Sequence, residues 1–165
     1  MERTFIGIDN GVSGSIGIIP IEGDALFLHT PTKRELNYTK SKSWFTRIDA
    51  EGLFKVLREY TDKSPFVYLE RPMVNPGRFK ATVSALRAME ATLIIIELLK
   101  IPYQYIDSRE WQKETLPSGL KKEEWKIASL QVGKRLFPHI NFDGFNDADG
   151  IMIAEWARRK GLGGE

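Results

Sequence analysis

The stretch Phe-Ile-Gly-Ile-Asp-Asn-Gly-Val-Ser-Gly-Ser-Ile-Gly-Ile-Ile, from Phe5 to Ile19, constrains the fold more than any other part of the chain. Two apolar runs flank an Asn-Gly turn, the strongest short-range signal for a β-hairpin. The first run reads as a buried strand, and it ends in a single carboxylate, Asp9. That aspartate is either ordinary turn chemistry or a functional group held at the tip of the strand. A third short apolar run, Ala25 to His29, follows Glu22-Gly23-Asp24 and completes an antiparallel meander.

Beyond the meander the pattern changes. Pro31 to Arg47 is polar and basic, with Tyr38, Trp44 and Phe45 scattered without period, which predicts a surface loop. Asp49 to Lys63 has helical spacing behind Asp49 as N-cap. Pro65 to Leu69 predicts a buried strand, closed by Glu70-Arg71-Pro72 because proline stops ladder pairing. A Pro/Gly/Asn-rich loop then leads into a helix from Thr82 to Leu99, and Tyr103 to Ile106 predicts another strand. The Asp107 to Glu110 spacing resembles a capping box. Two further helices are expected, Lys122 to Phe137 and Asp147 to Lys160. Three strands, helix, strand, helix, strand and two helices make an α/β mixed sheet with right-handed parallel crossovers. In such sheets, sites gather at the carboxyl ends of adjacent parallel strands.

With 165 residues, 42% of them hydrophobic, the chain suits one domain, expected over 1–161, with 162–165 as a disordered tail. The absence of cysteine excludes disulfide scaffolds, thiolate metal sites and cysteine nucleophiles, leaving oxygen and nitrogen ligands. The N-terminal residues lack a basic-then-apolar signal pattern. The most apolar segment, Ala91 to Leu99, is too short to span a bilayer and contains Glu97. The expectation is a cytoplasmic protein without membrane contact. A net charge of +2 decides little, but the basic residues cluster at Lys33-Arg34, Lys40 to Arg47, Arg78 to Lys80, Lys121-Lys122 and Arg158 to Lys160.

If the strands bearing Asp9 and Glu70 pair in parallel, the two carboxylates become neighbours. Like charges so placed disfavour ionisation unless a cation neutralises them, and hard oxygen ligands point to Mg²⁺ or Mn²⁺. Asp143, Asp147 and Asp149 add more acid at the front of the last helix. Capping explains such a cluster as readily as function does. However, Gly150-Ile151-Met152-Ile153-Ala154 presses the turn at Asp149 against the core, where an acid needs a partner. His29 and His139 lie outside these clusters, and Trp111, Trp125 and Trp156 read as core.

Taken in order, Gly7-Ile8-Asp9-Asn10-Gly11, Ser13-Gly14-Ser15-Ile16-Gly17, Val67-Tyr68-Leu69-Glu70, Trp111-Gln112-Lys113, Lys121-Lys122 and Asp149 to Trp156 resemble RuvC-type Holliday junction resolvases, particularly the phage-encoded branch. The resemblance implies a ribonuclease H-like fold, with a five-stranded mixed sheet of three antiparallel strands then two parallel ones, flanked by helices. It also implies an endonuclease that resolves four-way DNA junctions by paired nicks with 5′-phosphate ends, acting as a homodimer. Asp9, Glu70 and Asp149 match the family's acidic positions. The fourth is open between Asp143, Asn146 and Asp147, with Asp147 preferred and Asn146 a weaker ligand. Two Mg²⁺ ions per site are implied, with Mn²⁺ able to substitute, one activating water and one stabilising the leaving oxygen.

The expected DNA contacts are Asn75, Arg78, Phe79 and Lys80 after Glu70, with Lys121, Lys122 and the Tyr38 to Arg47 segment secondary. Phe79 either stacks on an unpaired base or anchors the next helix. The Thr82 to Leu99 helix either pairs two subunits or is buried centrally. The competing readings are another ribonuclease H-like nuclease, acting on RNA–DNA hybrid or transposase-like, and a non-catalytic junction-binding protein. A sugar-kinase or actin-like ATPase opens similarly but needs two such domains, too much for this length.

Overall fold

The computed structural model describes residues 3–38, 40 and 42–161, so the expected tail at 162–165 lies outside the described residues. The hairpin that opens the chain forms as β1 (Thr4–Ile8) and β2 (Ser15–Ile19), paired antiparallel. Its turn is longer than two residues: Asp9 N donates to Ser15 O at 3.0 Å and Gly14 N to Gly11 O at 3.1 Å. Gly11 sits at φ +134°, a conformation that favours glycine. β3 (Leu26–His29) adds to β2, again antiparallel.

On the other side of β1 lies β6 (Pro65–Glu70), parallel to it, and β7 (Tyr103–Ile106) runs parallel to β6. The sheet order is β3-β2-β1-β6-β7, the mixed arrangement expected from the sequence. Side chains alternate across a strand, and each face builds one core. Ile6, Ile8, Val67 and Leu69 face α1 (Ala50–Arg58) and α2 (Phe79–Leu98). Phe5 and Tyr68 face α3 (Ser108–Thr115), α4 (Trp125–Leu136) and α5 (Asp149–Lys160). No described helix is long and apolar enough to cross a membrane.

The structure corrects several expectations. Residues 31–47 do not form a loop: β4 (Thr32–Leu36) and β5 (Trp44–Ile48) make a separate two-stranded sheet. β4 is exposed along most of its length and β5 covers residues of mixed polarity, Phe45, Arg47 and Ile48, so the pair carries no apolar–polar alternation to read. It is held instead by cross-strand polar contacts, Arg47 Nη1 to Glu35 at 3.0 Å and the Arg34 guanidinium 5.6 Å from the Trp44 ring. Helix α2 starts at Phe79, not Thr82, behind a 3₁₀ turn at Pro76–Arg78.

Residues 108–115 form α3, a helix missing from the predicted order. Asp107 is its N-cap by position, yet its side chain makes no cap bond because its carboxylate pairs with Arg71 at 3.3 Å. Asp49 likewise precedes α1 without a side-chain cap bond. Trp125 is only half-buried, whereas Trp111 and Trp156 are core. Finally, α5 begins at Asp149, two residues later than expected, so Asp147 precedes the helix instead of lying in its first turn.

Candidate metal centre

The site follows from strand parity and register. Asp9 continues the Phe5–Gly7 face of β1, and Glu70 continues the Tyr68 face of β6. Ile8 is paired with Leu69, so the next positions, Asp9 and Glu70, stand side by side at the carboxyl ends of two parallel strands. Both therefore face the layer that contains α5.

Three glycines bring α5 onto the sheet. A methyl group at Gly7 would meet Gly150 O, one at Gly17 would meet the Ile151 backbone, and one at Gly150 would lie 2.7 Å from Ser15 C. The helix consequently packs backbone to backbone over β1 and β2. Ser15 Oγ fixes its first turn by accepting from Gly150 N at 3.0 Å. Asp149, at the start of that helix, is thereby delivered to Asp9.

Carboxylate oxygens of Asp9, Asp147 and Asp149 all lie within 4.8 Å of one another. Glu70 lies outside that trio but joins the site through a hydrogen bond with Asp9. Burial, then the Glu70 and Asp149 charges, hold the Asp9 carboxyl well above its usual range. Glu70 is also raised, chiefly by burial, against the opposing effect of its hydrogen bonds. Two carboxyl groups joined by a hydrogen bond share one proton between them. Burial first and the Asp147 charge second push Asp149 up to about 7.

Each remaining acid is held by a neighbour. Trp111 Nε1 donates to Glu70 Oε1 at 2.9 Å. Ser129, fully buried, donates to Asp149 Oδ1 at 2.5 Å and accepts from Ala148 N at 3.1 Å. Lys126 Nζ reaches Asp147 Oδ2 at 3.0 Å, and the Asp147 side chain is only 11% exposed. Sequence reasoning missed all three partners. Trp111 read as core, and it is core, but its indole N–H points at the site. Its one available signal was position, one turn into a helix that begins where β7 ends.

The donor set fits a hard divalent cation. It consists of carboxylates without sulfur or imidazole, gathered within reach of one ion, whose proton affinities are raised by burial first and by one another's charge second. Asp143 and Asn146 are both exposed, while Asp147 is buried among the acids.

The expected DNA contacts fall elsewhere. Asn75 Oδ1 accepts from Gly77 N at 2.9 Å, so this side chain shapes its own turn. Arg78, Phe79 and Lys80 are exposed where α2 begins, and Phe79 is 72% exposed, too open for a helix anchor. Lys121 and Lys122 are exposed just before Lys126. Arg71, next to Glu70 in sequence, pairs with Asp107 at 3.3 Å.

No protein-family model matches the sequence, and no curated protein matches it. Solved structures do. A Thermus thermophilus RuvC bound to Holliday junction substrate superposes with a TM-score of 0.63 at 14% identity, covering 96% of both chains. Another T. thermophilus RuvC structure gives a TM-score of 0.58 at 16% identity, covering 96% of this chain and 97% of the other. The chain therefore has the RuvC-like variant of the ribonuclease H-like fold along nearly its whole length.

Proposed function

We propose that this chain is a structure-selective, metal-dependent endonuclease that resolves four-way DNA junctions. The observation that carries this reading is the convergence of Asp9, Asp147 and Asp149, with Glu70 bonded to Asp9, at the carboxyl ends of two parallel strands. A pure phosphate binder gains nothing from acids massed at its centre, since they repel the ligand. The whole-length likeness to a RuvC bound to Holliday junction DNA supports the choice of substrate. The reading includes a single nuclease domain over 1–161, of the phage-encoded branch.

Asp9, Glu70, Asp147 and Asp149 would hold the metal, with Mg²⁺ the proposed ion, two per site, and Mn²⁺ a substitute. Bound there, divalent ions supply a water of lowered pKa and charge stabilisation for the scissile phosphate. The chain's own residues prepare the site. Trp111 fixes one oxygen of Glu70, and the hydrogen bond with Asp9 holds the carboxylate beside the other acids. Ser129 sets the rotamer of Asp149 by engaging Oδ1 while it is itself anchored by the Ala148 amide. Lys126 partly neutralises Asp147 and lies close enough to act on all the acids. These buried acids would give up their shared proton on binding a cation, so affinity for metal should rise with pH. No protein nucleophile is required, and the expected product is a nick with a 5′ phosphate.

Arg78, Phe79, Lys80, Lys121 and Lys122, with a lesser contribution from Asn75, are the proposed DNA contacts outside the acidic centre. Two subunits would pair through α2, whose exposed Leu86, Ile94 and Leu98 lie, interspersed with Glu90 and Glu97, on the face opposite buried Ala88, Thr92 and Ile96. The test is incubation with labelled four-way junction, linear duplex and RNA–DNA hybrid in Mg²⁺. Symmetric paired nicks confined to the junction support the reading. Preferential cutting of the hybrid moves the assignment to a ribonuclease H-type activity, and tight junction binding without cutting moves it to a binding protein.

A further inference from the structure

Between the β4–β5 hairpin and the first half of α2 runs a groove of about 560 Å³, a feature the acidic centre does not use. Its size falls in the range of roughly 300–1,000 Å³ typical of ligand sites. Trp44, Phe45 and Phe79 supply aromatic surface, and Arg47, Lys80 and Arg87 supply positive charge. Among the described residues no carboxylate lines it, but Glu35 pairs with Arg47 Nη1 at 3.0 Å and offsets that charge, so Lys80 and Arg87 carry most of the groove's positive character. Phe45 is half-buried, with the Arg87 guanidinium 4.4 Å from its ring centre, so it accounts for the packing of hairpin on helix. Trp44 and Phe79 do no such packing, since they are 58% and 72% exposed. Exposed aromatics gathered in a cationic groove mark an interaction surface.

The groove reaches the turn that follows Asp9, although α2 packs on the sheet face opposite the acidic side chains. Val12, in the turn that follows Asp9, lines one end of it. The neighbouring Asn10 Nδ2 donates to Ala85 O at 3.1 Å, tying that turn to α2.

The geometry points to this groove as a binding site for an unpaired segment of single-stranded DNA, with bases stacked on Trp44 and Phe79 and phosphates on Lys80 and Arg87. The assignment rests on the reading that the chain acts on branched DNA, and it adds an unpaired strand to that substrate. A polyanion with flat apolar faces matches both properties of the lining, because stacking is sequence-tolerant and cations track the backbone. A duplex has its bases stacked internally and cannot offer those faces.

The test uses the full chain in EDTA, so that no cutting is needed, with labelled oligothymidylate and a duplex of equal length. Oligothymidylate should quench part of the tryptophan emission, and Trp44→Phe should remove that part. Trp44→Ala should weaken oligothymidylate binding about tenfold and Trp44→Phe by less than about threefold, with duplex affinity unchanged in both. Arg87→Ala should lower the salt dependence of oligothymidylate binding by about one counterion. Thermal melting verifies that each variant is folded. The inference is overturned if Trp44→Ala binds oligothymidylate like wild type or loses duplex binding equally. It is also overturned if Trp44→Ala converts a dimer to a monomer in sedimentation, which would assign the groove to a second copy. Junction nicking with unaltered oligothymidylate binding by Trp44→Ala sinks this inference alone. Trp44-dependent oligothymidylate binding without any nicking supports the groove while removing the endonuclease reading.

Discussion

Replacing Asp149 by asparagine should make the metal-free protein more stable at alkaline pH, although it removes a candidate ligand. In the folded chain the Asp149 carboxyl is raised from an ordinary 3.8 to about 7. A raised acid holds its proton longer in the folded state than in the unfolded one. Stability is therefore lost as pH rises from the unfolded value through the folded one. At 1.36 kcal/mol per pKa unit, the loss from this group is on the order of 4 kcal/mol at pH 8 and about 0.6 kcal/mol at pH 4. Asparagine lacks the charge and keeps an amide that can hydrogen-bond Ser129. Urea unfolding in EDTA should show Asp149→Asn more stable than wild type by a few kcal/mol at pH 8, with the gap nearly closed at pH 4. Saturating Mg²⁺ should reverse the order at pH 8, because binding to the folded state stabilises only the protein that retains its ligands. If Asp149→Asn is no more stable than wild type at pH 8 in EDTA, the reasoning from like charges massed in a desolvated site fails.

Three other outcomes follow from the same geometry. Trp111→Phe keeps the ring in the core but removes the N–H from Glu70, so Mg²⁺ affinity by calorimetry should fall roughly 10–100-fold while the fold persists. Gly7→Ala drives a methyl group into the Gly150 carbonyl, and it should cost about 3 kcal/mol in urea unfolding and displace Asp149 enough to abolish metal binding. The double variant Lys121→Ala, Lys122→Ala should leave metal affinity intact and reduce the slope of junction affinity against salt by about two.

The main sheet was legible because its strands are buried. Continuous runs such as Ile6 to Ile8 and Val67 to Leu69, punctuated by Asn-Gly and Pro72, signal strand order directly. The condition that makes Asp9 and Glu70 neighbours, parallel pairing of their strands, is met by β1 and β6. The β4–β5 hairpin was illegible because its strands are mostly solvent-exposed and rest on ion pairs and ring contacts, which impose no period. Helix starts were blurred for a related reason: Asp107 is spent on Arg71 and Asp147 on Lys126, so acids that resemble caps serve tertiary contacts. The partners of the acidic residues were hidden more deeply. Trp111 comes from α3 and Ser129 from α4, and only packing decides that one indole N–H and one hydroxyl meet carboxylates 41 and 20 residues away.

The most direct test of the account is product mapping of a four-way junction cut by wild type and by Asp9→Asn, each in Mg²⁺ and in EDTA. The account predicts two symmetric nicks with 5′-phosphate ends from wild type in Mg²⁺, none in EDTA, and none from Asp9→Asn, which should still bind the junction. Cutting that survives in EDTA or in Asp9→Asn would contradict it.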